Sequence, residues 1–357
     1  MTDGAKWWKI KERRGGTVNV IGTPYERLVQ GQLMSDSGVD RSGLELVTDV
    51  TTRIRLAMAT VIEGKPDVIN TAITVLLAQG HLLIEDVPGV GKTMLAKALA
   101  KSIDCSVRRV QFTPDLLPSD ITGVSVFNQD LREFEFRPGA IFANVVVGDE
   151  INRASPKTQS ALLECMEEGQ VTVDGETYEL HKPFIVMATQ NPIEMEGTYP
   201  LPEAQRDRFM ARISMGYPST AAELAVLNSH GGAFPLQEMA PVTDGETVAK
   251  LIEIVRTLYA SPAIKQYIVD LTKATRVTTA LRLGASPRAS LHLLRASRGY
   301  AALAGRDHVL PDDVQALVEP VLVHRVIPSG ETQVARRTCA DVIREIVERV
   351  PIPSSAH

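Results

Sequence analysis

An ammonium, a hydroxyl and two glycines fall within five residues of one another in Asp86-Val87-Pro88-Gly89-Val90-Gly91-Lys92-Thr93. Gly89 and Gly91 let the backbone curl so that successive N–H groups face inward, where they and the N-terminus of a following helix can cradle phosphate oxygens. Lys92 would set its charge between the β- and γ-phosphates of a nucleotide, and the Thr93 hydroxyl is an oxygen ligand suited to Mg²⁺. An apolar segment precedes the string and a helix-forming run follows it, which is the context a phosphate loop for ATP requires. The usual pattern opens on glycine and this one opens on Asp86. A carboxylate beside phosphates would repel them, so Asp86 is expected to face away.

A second group of residues could complete that chemistry. Val145-Val146-Val147-Gly148 runs into Asp149 and Glu150. Asp149 at a strand end can hold Mg²⁺, directly or through water, and Glu150 can orient and deprotonate a water for attack on the γ-phosphate. Taken alone, two acids after a strand could equally be a solvated strand end or a helix cap. Asn191, in Thr189-Gln190-Asn191-Pro192, could hold the attacking water or touch the γ-phosphate, although Asn-Pro also starts turns. Arg206 and Arg208 follow Pro202-Glu203; either could meet a neighbour's γ-phosphate or pair with Asp207 or Glu203 on a solvated face. Ser286-Pro287-Arg288 opens a helix, and Arg288 could swing onto the nucleotide as a second domain closes, or simply be exposed.

These residues need elements to position them. The spacing predicts helices over 44–62 and 67–77, the latter capped by Asp67, a buried strand at 81–85 and a helix from Thr93. Strands are expected at 107–112, 145–147 and 184–188, a helix at 155–168, and hairpins over 124–136 and around Asp174-Gly175. Strands alternating with helices argue for an α/β fold with a parallel sheet. Beyond Pro218 helical segments follow at 219–230, 244–258, 262–278, 287–303, 311–323 and 332–348, with a loop at 230–241. The expected organisation is a disordered extension over 1–43, an α/β nucleotide-binding core over 44–218 and an all-α lid over 219–357. Met34 is an alternative start for the ordinary-looking sequence.

Composition narrows the class. At roughly 150 residues per domain, 357 residues allow two. A net charge of −5 and the lack of a basic-aromatic stripe count against nucleic acid. Three separated cysteines, Cys105, Cys165 and Cys339, make neither a disulfide framework nor a zinc site, which fits a reducing compartment such as the cytoplasm. No apolar run approaches the roughly 20 residues of a membrane span, and no secretory leader is expected at the N-terminus.

The order of motifs resembles the AAA+ ATPases, and within them the MoxR family. The strings LLIEDVPGVGKTMLAKALA, DEINRASPKTQSALLECMEEGQVTVDG, PFIVMATQNPIEMEGTYPLPEAQRDRF and GASPRASLHLLRASRGYAALAGRDHVLPDDV carry the likeness, which spans about residues 44–352. It implies a P-loop NTPase core followed by a smaller lid. Lys92 and Thr93 would be Walker A, Asp149 and Glu150 Walker B, Asn191 sensor 1, Arg208 a finger acting in trans and Arg288 sensor 2. Val61 and Ile62 would pack on adenine, and the two hairpins would face the pore of a homo-oligomeric ring, a hexamer by resemblance. The family is thought to work with von Willebrand factor A domain proteins and to mature or activate other complexes; the client is not specified by this sequence. Two departures stand out: Arg206 where the family usually has an apolar residue, and Gly148, smaller than usual, which leaves room behind Asp149.

Alternative functions are a nucleic-acid motor, a regulator that binds nucleotide without hydrolysing it, and a magnesium-chelatase-like subunit. Intact Glu150 and Asn191 argue against the second.

Overall fold

Three consecutive β-branched residues, Val145–Val147, have no polar face to offer solvent, and the strand they form is covered on both sides. The computed structural model describes residues 41–87, 89–191, 198–217, 220, 223–224 and 235–353. Helices α1 (Arg41–Ala59) and α2 (Pro66–Leu77) lead into β1 (Leu82–Glu85), α3 (Lys92–Ser102) and β2 (Val107–Gln111). Next come α4 (Pro118–Thr122) and the hairpin β3 (Gly123–Asn128) and β4 (Glu133–Pro138), then β5 (Val145–Asp149) and α5 (Pro156–Glu168). The hairpin β6 (Gln170–Val173) and β7 (Glu176–Glu179) precedes β8 (Ile185–Gln190), α6 (Glu203–Arg206) and β9 (Ala211–Ile213).

Five of these strands form a parallel sheet in the order β2-β5-β8-β1-β9. Side chains alternate across it, as the two-residue period of a strand demands. Leu82, Ile84, Val145, Val147 and Met187 enter one core with Ile54, Leu95 and Leu99. Leu83, Val146 and Val186 enter the other with Phe112, Leu163 and Phe209. The result is a three-layer α/β core. Strand β1 lies between β8 and β9, so the chain leaving it enters the middle of the sheet's carboxyl edge, where such folds open a crevice.

The helical part comprises α7 (Pro235–Glu238), α8 (Gly245–Thr257), α9 (Pro262–Val277), α10 (Pro287–Leu303), α11 (Pro311–Leu322), α12 (Gly330–Val334) and α13 (Cys339–Arg349). Ser261 and Ser286 cap α9 and α10, each followed by proline at the first helical position. Helix α10 packs on α2 at Gly299, where a Cβ would stand 3.0 Å from the Thr74 carbonyl oxygen.

Several expectations need correction. Helix α1 already runs at Arg41, the first described residue, and α2 starts on Pro66, with Asp67 in the first turn rather than at the cap. The helix expected over 332–348 is two, because Arg336 takes a left-handed φ of 54° and Thr338 then caps α13 with Asp341 in a reciprocal box. The part expected to be all-α contains an antiparallel pair, β10 (Leu281–Leu283) with β11 (Ile327–Pro328). The short edge strand β9 was not anticipated. The extension expected over 1–43 lies outside the described residues up to 40, as does most of the helix expected at 219–230. Among the described residues, no helix is long and apolar enough to cross a membrane.

Candidate active site

The loop from β1 to α3 needs backbone that ordinary residues avoid. Gly89 and Gly91 have φ of 84° and 90°, and Gly91 is the N-cap of α3. A Cβ would find space at both, so the requirement is the torsion itself. Lys92 Nζ donates to the Asp86 carbonyl oxygen at 2.6 Å, folding the ammonium back over the loop. Pro88 lies outside the described residues. The Asp86 carboxylate does face away: it accepts from Val87 N (2.8 Å), Ser214 Oγ (2.9 Å) and Gly216 N (2.6 Å). Burial pushes its pKa up, but the bonds from Gly216, Ser214, Val87 and Met215 outweigh that and hold the carboxyl below its ordinary range. Asp86 thus ties the start of the loop to the segment leaving β9. That segment also meets the turn holding Val61 and Ile62, since Lys65 Nζ donates to the Tyr217 carbonyl oxygen at 3.1 Å.

Two strands over, beyond β8, β5 delivers Asp149 and Glu150 to the same edge. Asp149 is buried, with Oδ2 3.5 Å from the Thr93 hydroxyl and Oδ1 3.3 Å from the Thr189 hydroxyl. Thr189 also accepts from Glu150 N at 3.0 Å, so one side chain of β8 orients both acids. Glu150 takes a left-handed φ of 57°, which turns it out of the strand line. Its Oε2 accepts from Gln111 Nε2 at 2.9 Å and pairs with Arg153 Nη1 at 3.0 Å. Asn191 is buried at the end of β8, beside the point where Asp86 N donates to the Gln190 carbonyl oxygen at 3.2 Å. The space expected behind Asp149 is occupied: a Cβ on Gly148 would stand 3.1 Å from the ring of Phe112, which is fully buried.

A carboxylate and a hydroxyl are hard oxygen donors of the kind Mg²⁺ takes, and Mg²⁺ needs only one or two of them when substrate phosphates supply the rest. No cluster of three or more His, Cys, Asp or Glu among the described residues could hold a metal by itself. The donor set therefore fits a Mg²⁺ that arrives with a nucleotide.

The arginines lie elsewhere. Met210 N donates to the His81 carbonyl oxygen, which places Arg208 at the amino end of β1, while Lys92 follows its carboxyl end. The strand between them is four residues, about 13 Å at ~3.3 Å each. Arg208 Nη1 donates to the Leu163 carbonyl oxygen at 2.7 Å and its Nε pairs with Glu167 at 3.2 Å. Arg288 pairs with the other oxygen of the same Glu167. Both line a cavity of about 470 Å³ with Glu167, His81 and His292. The structure thus brings Arg208 and Arg288 together and does not bring Arg288 to Lys92 of its own chain. Arg206 makes no ion pair among the described residues and lines a separate cavity with Glu85, Arg212 and Arg282.

Reading by motif missed Thr189, Gln111, Arg109, Glu167 and the 214–217 segment. Each acts through a partner about 40 or more positions away, and only a glycine after an edge strand, Gly216, offered a local signal. Burial raises the Cys165 thiol to about 12 and the Cys105 thiol to about 11, which makes both poor nucleophiles near neutral pH.

A family profile described as "ATPase family associated with various cellular activities (AAA)" matches residues 81–211, and one for the AAA lid domain matches 273–346. The chain is 52% identical to the uncharacterised protein YeaC of Bacillus subtilis, over 82% of this chain and 92% of that protein. It is 38% identical to Chaperone MoxR1 of Mycobacterium tuberculosis, covering 87% and 84%, and 31% identical to Protein MoxR of Methylorubrum extorquens, covering 85% and 96%. A crystal structure of a protein from Cytophaga hutchinsonii superposes with a TM-score of 0.82 at 36% identity, over 88% of this chain and 98% of that one. With its parallel-sheet core and helical C-terminal part, this chain belongs to the MoxR family of AAA+ ATPases.

Proposed function

We propose that the chain hydrolyses ATP with Mg²⁺, in a homo-oligomeric ring, and uses the energy to remodel or mature partner protein complexes. The observation that carries the reading is the division of its charged groups. Lys92, Thr93, Asp149 and Glu150 share one edge of the sheet, and Arg208 and Arg288 share the other. In this reading residues 44–218 are the nucleotide-binding core and 219–357 the lid.

Lys92 exchanges the Asp86 carbonyl for phosphate oxygens, and the N–H groups at the start of α3 face the same phosphates. Val61 and Ile62, on the turn fastened to Tyr217, flank the base. A Mg²⁺ held by Thr93 and Asp149 would neutralise charge on the phosphates. Glu150, once released by Gln111, orients a water and takes its proton, while Asn191 beside it holds the water or the γ-phosphate. Arg208 and Arg288 approach the nucleotide of the next subunit and stabilise charge in the transition state. A hexamer and a von Willebrand factor A domain partner accord with the family, and the chaperone named among the relatives accords with remodelling.

Two variants test the site. Lys92→Ala should weaken binding of a fluorescent ATP analogue by about 10- to 150-fold, the value of a charge-assisted contact. Glu150→Gln should bind normally and turn over about 10²- to 10⁴-fold more slowly. Wild-type binding by Lys92→Ala, or a wild-type rate in Glu150→Gln, would remove the basis of the proposal.

A further inference from the structure

Asp149 offers its Oδ1 to Thr189 and only its Oδ2 to the Thr93 hydroxyl. That second oxygen is already engaged. Arg109, on β2, brings Nε to 2.5 Å from it. The register explains the reach: β2 pairs with β5 in parallel, with Gln111 opposite Asp149, so Arg109 stands one step back on the same face. Its far end is held too, since Nη2 donates to Gln111 Oε1 at 3.4 Å. The two partners differ sharply in environment. The Asp149 side chain is 9% exposed and that of Arg109 is 56% exposed. An exposed guanidinium has little to gain from one buried carboxylate and can leave it cheaply.

We infer that Arg109 is a cationic latch on Asp149, which must be displaced before that carboxylate can take a divalent cation, and so sets how strongly Mg²⁺ favours nucleotide binding. The inference rests on the reading of this edge as a Mg²⁺–nucleotide site. A cation shared by Thr93 and Asp149 needs the oxygen that Arg109 covers, and two positive charges so close repel. Arg109 stands on β2, the edge strand of the sheet, and its side chain is already more than half exposed, so it has solvent to swing into. Arg109 is a positioning residue here, acting through Asp149 and through its contact with Gln111.

The test is a thermodynamic cycle that does not depend on turnover. The dissociation constant of N-methylanthraniloyl-ADP is measured for the full chain with excess EDTA and with saturating MgCl₂, and the ratio of the two is the Mg²⁺ coupling. Any direct effect of Arg109 on the nucleotide cancels in that ratio. Arg109→Gln should raise the coupling about three- to tenfold, the combined effect of losing a partly exposed ion pair and a nearby like charge. Arg109→Lys, which keeps the charge, should stay within about twofold of wild type. A purely structural salt bridge would alter the melting temperature of the apo protein and leave the coupling unchanged, so an unchanged or lower coupling in Arg109→Gln would overturn the latch. If the wild-type chain fails to bind the nucleotide, or binds it equally well in EDTA and MgCl₂, the underlying site reading fails first, and the latch with it.

Discussion

Asp86 shows how a carboxylate can be turned away from a loop and still fix its start. Three donors converge on its carboxylate, two of them from the 214–216 segment across the sheet edge. Asparagine in its place would present one acceptor oxygen and an amide that cannot accept, leaving at least one part-buried donor unpaired. Asp86→Asn should therefore lower unfolding free energy at pH 7 by about 1–3 kcal/mol in urea titrations. The sign with pH follows from the depressed folded-state pKa. The carboxylate's contribution is fully present above the unfolded value of about 3.9 and is lost as pH falls through the lower folded value. The gap between wild type and Asp86→Asn should consequently hold from pH 7 to about 5 and narrow below about pH 4. A gap that widened on acidification would contradict the assignment of the shift.

Between residue and whole molecule, strand β5 carries a tight constraint. Gly148 lies between Val147 and Asp149 with a buried aromatic ring against it, so a Cβ could enter only by moving Phe112 or the strand. Gly148→Ala should cost about 1–3 kcal/mol by overpacking, read from the urea midpoint, and wild-type stability in that variant would show that the ring can yield. The example marks the limit of what could be read in advance. Gly148 stood out in the sequence as room behind an acid; that Phe112 fills the room depends on how β2 lies against β5. The same division runs through the rest of the fold. The buried strands, the Ser-Pro helix starts and the glycine turn before α3 were legible because the cause is local: apolar period, a capping hydroxyl, glycines at positive φ. Strand β9 is only three residues long and carries Arg212 in its middle, so no pattern announced it. Glu167 looked like any acid at the end of a helix, and its place between Arg208 and Arg288 appears only once α5 and α10 are packed.

At the scale of the molecule, the distribution of charge bears on the ring proposed above. Buried Arg325 fixes the helical layer to the sheet: it pairs with Asp207 at 3.0 Å, donates to the Phe209 carbonyl, and meets the His292 ring at 2.6 Å. His292 is held neutral, its pKa lowered to about 2 by burial and then by Arg325 and its neighbours, so it can accept that bond at any ordinary pH. The junction therefore holds Arg208 and Arg288 beside Glu167 and keeps them at the amino end of β1, the end remote from Lys92. Bringing them to Lys92 of the same chain would cost them their pairing with Glu167 and carry them the length of β1. Presenting them to another subunit requires no such loss. Arg208→Ala should accordingly bind nucleotide with wild-type affinity and lose turnover by about 10³-fold or more. Lys92→Ala lacks the phosphate contact but keeps its arginines. Mixed with Arg208→Ala, it forms interfaces in which an intact loop faces an intact arginine, and phosphate release should reappear at a fraction of the wild-type rate that follows the mixing ratio. Inactivity at every ratio, in mixtures shown by sedimentation to co-assemble, would place the arginines outside the catalytic step.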